Sequence, residues 1–121
     1  PTVIIIAILT FIVYLILVLI IPFTFLIKGG LYETKVSKYP DVTKGYQTKY
    51  KVQNEKEWLY INSVASKIYG TLGSILIVIS IVSLFLFGEE SVPAIGALSL
   101  LLIPFIKLIT DKVIEKKFGK K

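Results

Sequence analysis

Three stretches of the chain carry apolar residues on every face of a helix, and the polar residues are gathered between and after them. Val3 to Ile27, Ile68 to Phe87 and Val92 to Ile109 are each long enough to cross the hydrocarbon core of a bilayer, and Lys107, near the end of the third, is their only charge. The pattern predicts an all-α membrane protein with three transmembrane helices, residues 1–27, 68–87 and 92–110. A long loop over 28–67, a short turn over 88–91 and a basic tail over 111–121 join and follow them. The first stretch lacks a basic leading region and a small-residue cleavage site before Lys28, so it reads as an anchor rather than a cleaved signal peptide. The chain starts with Pro and contains no Met, for which a removed initiator is the simple expectation.

Inside the long loop the periodicity changes twice. Tyr46, Thr48, Tyr50 and Val52 alternate with Gln47, Lys49 and Lys51, which suits an extended strip lying on a surface, with Gly45 as the turn before it. Asn54 followed by Glu57 is a helix-start signature, Asn54 capping backbone amides and Glu57 reaching back. The helix it starts has Trp58, Ile61, Ala65 and Ile68 at helical spacing. It is expected to lie at the membrane interface on Trp58 and then turn or run directly into the second span. Trp58, Tyr60 and Tyr69 read as interfacial anchors, and Asn62 needs hydrogen-bond partners, for which Thr48 or the loop backbone is at hand. Tyr32 falls in a linker with no pattern.

Within the spans, Pro22 and Pro104 remove backbone donors and should bend their helices, with Thr24 placed to help satisfy carbonyls near the first bend. Ser66, Gly70 and Ser74 recur every four residues, widened by Gly73 and Ala65, and form a stripe for close helix packing. Ala94, Gly96 and Ala97 of the third span are the expected facing surface, in an antiparallel hairpin.

Composition and charge give the orientation. The chain is 55% hydrophobic with a net charge of +6, and every basic residue is Lys. Eight lie from Lys28 to Lys67 and five after Thr110, so the positive-inside rule puts the loop and tail in the cytoplasm and the N-terminus and Glu89/Glu90 outside. The tail can lean on anionic lipid, and Lys107 is expected to snorkel to the headgroups. Basicity of this origin is no sign of direct nucleic-acid binding. With no Cys and no His, soft metal sites, thiol chemistry and disulfides are excluded, and no cofactor is expected. The eight carboxylates lie outside the apolar stretches, unlike those of an ion-coupled carrier. Asp41, Glu55 and Glu57 have no nucleophile or metal set around them, so an enzyme is not expected.

The polar segment carries one further signal. Gly45-Tyr46-Gln47-Thr48-Lys49, a short gap, Glu57-Trp58, Asn62 and Ala65 resemble the signature of the SdpI-like (SdpI/YhfL) membrane proteins, which reads Gly-Tyr-Arg-Thr, a Trp, then Ala-Asn and a small residue running into a transmembrane helix. The resemblance covers residues 39–87. Gln47 stands where the family has Arg, and Ile61 precedes Asn62 where Ala is common. If that Arg carries an ion pair or a phosphate contact, this chain has lost it. The resemblance implies a multi-pass protein of the bacterial plasma membrane that protects its cell from a secreted peptide toxin and signals by holding a soluble cytoplasmic regulator. Glu89 and Glu90 either attract a cationic peptide or simply form a solvated turn. A different class, a small structural or accessory subunit docking through the Ser66/Gly70/Ser74 stripe, fits the same sequence. Because three spans make a thin bundle, a homo-oligomer is plausible in either case.

Overall fold

The computed structural model describes residues 1–119, and residues 120 and 121 of the basic tail lie outside the described part. Three helices account for most of it: α1 Thr2–Thr34, α2 Glu55–Phe87 and α3 Val92–Phe118, with a 3-10 turn at Gly88–Ser91 between the last two. Among the described residues there is no strand. Two helical runs, Thr2–Thr34 and Glu55–Phe118, are long and apolar enough to cross a membrane, and the second is folded back on itself at the 3-10 turn. Most of the large apolar side chains of α1, and the outer faces of α2 and α3, are exposed, as lipid-facing surfaces require.

Each helix begins and ends for a local reason. Asn54 is the N-cap of α2, its side chain accepting from the Glu57 amide at 2.9 Å. Glu57 reaches back, as expected, though to the amide of Gln53 (2.8 Å) rather than that of Asn54. Gly88, at φ 68°, ends α2 in a conformation that favours glycine, and Ser91 closes the turn by donating to the Gly88 carbonyl at 2.7 Å. Near Pro22, Thr24 donates to the Ile20 carbonyl at 2.8 Å, four residues before it, whereas the carbonyl that Pro22 frees is that of Val18.

Three differences from the sequence expectations alter the picture. α1 continues seven residues past Ile27 to Thr34, so Tyr32 stands on a helix and not in a linker. α2 runs through the whole of 55–87 without a break, and Trp58 is buried rather than resting on an interface. The small residues of α2 serve α1 rather than α3 at Ser66, Gly70 and Gly73, whereas Ser74 is exposed. A Cβ on Gly29 would stand 2.8 Å from the Gly70 nitrogen and 3.0 Å from the Ser66 carbonyl oxygen, and one on Gly73 would stand 3.0 Å from the Leu26 nitrogen. Backbones this close need glycine on the approaching side. α3 turns Ala94 and Ala97 outward and presents Ile95, Ser99, Ile106, Thr110 and Ile114 instead, one buried stripe at helical spacing.

The core has two parts. Near the 3-10 turn, Val18, Leu84 and Ile95 pack together, with Phe11 and Phe85 in ring contact at 5.3 Å. At the opposite end, Phe25, Tyr46, Ile61, Ala65, Tyr69 and Ile106 form the larger cluster. Between them two buried hydroxyls, Ser80 and Ser99, have no hydrogen-bond partner.

Candidate functional site

The loop 35–54 closes the open end of the bundle, and the means by which it is held there is the most organised polar structure in the molecule. Its anchor is Tyr46, 2% exposed, whose ring meets those of Tyr32 of α1 and Tyr69 of α2 edge-on at 5.6 and 6.1 Å. The backbone amide of Tyr46 donates to Asn62 Oδ1 at 2.8 Å, and Asn62 Nδ2 donates to the Trp58 carbonyl at 2.9 Å. The loop backbone thus supplies the partner expected for Asn62. Thr48 does not, its hydroxyl accepting instead from the Tyr50 amide at 3.3 Å.

Gly45 explains how the loop gets so close. Its φ is +147°, and a Cβ would stand 2.6 Å from Asn62 Oδ1 and 2.8 Å from the Trp58 ring. Only glycine combines that backbone with that approach. Trp58 in turn donates its indole N–H to the Ser37 carbonyl at 2.9 Å, pinning the start of the loop. Ser37 spans the turn that follows, its amide donating to the Lys44 carbonyl at 2.8 Å and its hydroxyl to the Asp41 carbonyl at 2.6 Å. Ala65, fully buried, leaves room one turn below Ile61 for the aromatic group above it.

The third helix contributes a latch. Tyr46 donates its hydroxyl hydrogen to Asp111 at 2.8 Å, and Lys107 Nζ reaches the Gln47 carbonyl at 2.6 Å and lies 4.4 Å from the centre of the Tyr46 ring. Lys107 also pairs with Asp111 at 3.4 Å. Its stem does carry the ammonium toward the bundle end, but the ammonium ties α3 to the loop instead of simply reaching headgroups. Burial, and then the Asp111 carboxylate, push the Tyr46 phenol well above its ordinary value, so it stays a neutral donor.

After Tyr46 the alternation read from the sequence survives as exposure rather than as a strand. Gln47, Lys49 and Lys51 are exposed while Thr48, Tyr50 and Val52 are half-buried against the bundle. The Gln47 side chain folds back to the Val42 carbonyl at 2.9 Å. Tyr50 stacks on Phe118 at 4.7 Å and donates to Glu57 at 2.9 Å, so the end of α3 is held by the loop. Tyr60 meets the Phe118 ring edge-on at 5.4 Å, and Tyr69 is buried.

Gly45, Tyr46, Trp58, Asn62 and Ala65 therefore meet in one joint, whereas Lys49 stands outside it. Ser66, Gly70, Gly73 and Ser74 lie farther along α2. Asp111, Ser37, Tyr32 and Gly29 belong to the joint or to the helix contact below it and were not singled out by sequence. Asp111 had a signal, four residues after Lys107 on one helix face; Ser37 had none. Among the described residues no three His, Cys, Asp or Glu side chains are grouped to hold a metal. Chemically the joint is a set of satisfied hydrogen bonds around buried rings, suited to fixing the loop and presenting its lysines.

Comparison with protein families, with curated proteins and with solved structures finds no match.

Proposed function

We propose that this chain is a three-span protein of the bacterial plasma membrane, N-terminus outside and loop and C-terminus in the cytoplasm, that confers immunity to a secreted peptide toxin. The observation that carries this reading is the meeting of Gly45, Tyr46, Trp58, Asn62 and Ala65 in one joint. They are five of the residues through which the chain resembles the SdpI-like proteins, and the resemblance by itself gives no reason for Gly45 and Tyr46 of the loop to meet Trp58, Asn62 and Ala65 of α2. The departure at Gln47 is offset locally, since the cation of Lys107 sits on the Gln47 carbonyl. In this reading the exposed edge of the loop, Gln47, Lys49 and Lys51, is the face that holds a soluble regulator, and the Glu89/Glu90 turn faces the toxin. The orientation is supported by charge: every described Lys lies from Lys28 onward at the loop end of the bundle, and Glu89 and Glu90 alone mark the other.

The test is survival of a sensitive bacterium expressing the chain when challenged with culture supernatant of the native host. Protection is expected, lost in Trp58→Ala and retained in Leu59→Ala, whose side chain is exposed on the next position of the same helix. No protection at confirmed membrane expression would overturn the immunity reading.

One observation favours an accessory-subunit role instead. Ala94 and Ala97 face outward, and nothing lies within 4 Å of where a Cβ on Gly96 would stand, so α3 offers a small-residue face that no helix of the chain covers. Co-purification of one stoichiometric membrane partner, with no toxin present, would support this role.

A further inference from the structure

A cavity of about 170 Å³ opens between the end of α1 and α2, on the side away from α3, lined by Tyr32, Glu33, Asn62, Ser63, Ser66 and Lys67. Two opposite charges face it without pairing, because among the described residues the Lys107–Asp111 contact is the only ion pair. Asn62 is 3% exposed and lines the cavity, yet its amide donates one hydrogen, to the Trp58 carbonyl, leaving the second N–H without a partner among the described residues. Below the cavity on the same helix face, a Cβ on Gly70 would meet nothing within 4 Å. One turn further, Ser74 edges an apolar hollow of about 290 Å³ with Ile75, Val78 and Ile79. From Lys67 to Val78 the helix rises roughly 16 Å, about half the thickness of a bilayer's hydrocarbon core.

We propose that this face binds one phospholipid with a primary-amine headgroup, of the phosphatidylethanolamine class. Lys67 takes the phosphate, Glu33 accepts from the ammonium, and the free Asn62 N–H and the Ser63 and Ser66 hydroxyls serve the remaining oxygens. One acyl chain lies over Gly70 into the apolar hollow. The discrimination is chemical: a primary ammonium has three N–H donors for Glu33, and the quaternary ammonium of phosphatidylcholine has none. A carboxylate and a lysine that face one cavity unpaired also suit a zwitterion better than a purely anionic lipid. This inference rests on the membrane placement proposed above and is independent of immunity.

The experiment is native mass spectrometry of the full chain released from nanodiscs holding equal amounts of phosphatidylethanolamine, phosphatidylcholine and phosphatidylglycerol with matched acyl chains. Phosphatidylethanolamine is expected to be retained about fivefold over phosphatidylcholine, the effect of one contact at the headgroup level. Glu33→Gln is expected to remove that preference, Lys67→Ala to lower retention of both lipids, and Gly70→Leu to lower retention of all lipids at an unchanged ratio. Equal retention of the three lipids would overturn the proposal. So would a preference for phosphatidylglycerol, which marks general attraction to lysines, or efficient cross-linking of Ser74→Cys between two copies, which marks a helix on this face. A chain that does not enter nanodiscs overturns the membrane placement as well, whereas one that enters and shows no preference overturns the lipid site alone.

Discussion

At Gly45 a single methyl group has nowhere to go, and the residue shows how much of the joint depends on one missing side chain. Gly45→Ala combines an unfavourable φ with contacts to Asn62 and Trp58 below 3 Å, and is expected to cost about 2 kcal/mol or more. Gly30→Ala, where a Cβ meets open space on a helix, should be neutral or slightly stabilising. Thermal unfolding of both variants in one detergent checks the contrast, and equal midpoints would contradict it. Tyr46 sets the response to alkali. Its folded phenol titrates above the ordinary 10.0, burial first and Asp111 second, so the stabilisation is complete below about pH 10 and is lost as pH rises toward the folded value. Tyr46→Phe is expected to be less stable than the parent at pH 8, and to lose less between pH 10 and 11. Parallel slopes for the two proteins would place the alkaline loss elsewhere than at Tyr46.

Among the elements, α1 and α2 are joined by glycines whose roles differ although the sequence makes them look alike. Gly29 and Gly73 each face a backbone about 3 Å from where a Cβ would stand, while Gly70 is approached from its backbone side and its own Cβ direction is empty. Gly29→Ala and Gly73→Ala should therefore each lower the unfolding midpoint, with a cost of about 1–3 kcal/mol for overpacking, and Gly70→Ala should leave it unchanged. The i, i+4 pattern of Ser66, Gly70 and Ser74 runs along the edge of the α1 contact and leaves it at the exposed Ser74, while Ala65 and Gly73 lie inside it, and periodicity gives no information about which neighbour covers a face. The helices themselves were legible because their apolar runs are long, and the α2 start was legible because Asn54 and Glu57 carry a specific capping chemistry. The end of α1 was not, since Lys28 marks the limit of apolar residues and not the limit of helical hydrogen bonding, which continues through Tyr32 to Thr34. Trp58 was misplaced for a related reason. Sequence shows an aromatic group beside a span but cannot show that Ser37, twenty-one residues earlier, brings a carbonyl to its indole. Five of the residues singled out in the sequence meet in the joint, and their convergence depends on a long-range return of the chain that local pattern does not encode.

The whole molecule is polarised along its axis, with lysines, the loop and the larger core cluster at one pole and the 3-10 turn with Glu89 and Glu90 at the other. Because the chain has no Cys, single cysteines report topology without background. Lys49→Cys should react with an impermeant maleimide only after the membrane is opened, and Glu90→Cys should react on intact cells; the reverse result would invert the proposed orientation. The two poles also differ in reach. Phe11 is level with Phe85, so the apolar residues 2–10 extend α1 past the end of the hairpin by about 10 Å. On the proposed topology, a bilayer that fits the hairpin is thinner than the apolar length of α1, and tilt of α1 or local thickening would absorb the difference.

The latch of Tyr46 on Asp111 bridges sixty-five positions of sequence, and it has a bearing on the order in which the protein is made. During synthesis the loop is finished long before α3 leaves the ribosome. Until then Tyr46 can find Asn62 and the rings of Tyr32 and Tyr69, but neither the acceptor for its hydroxyl nor the lysine that lies against its ring. The latch is thus the last part of the joint to close, and on the proposed topology it can close only after the final helix has been inserted. A chain stopped short of α3 would keep the contacts of the loop to α1 and α2 but lack the acceptor and the cation at Tyr46, so the latch marks a chain whose last helix is in place.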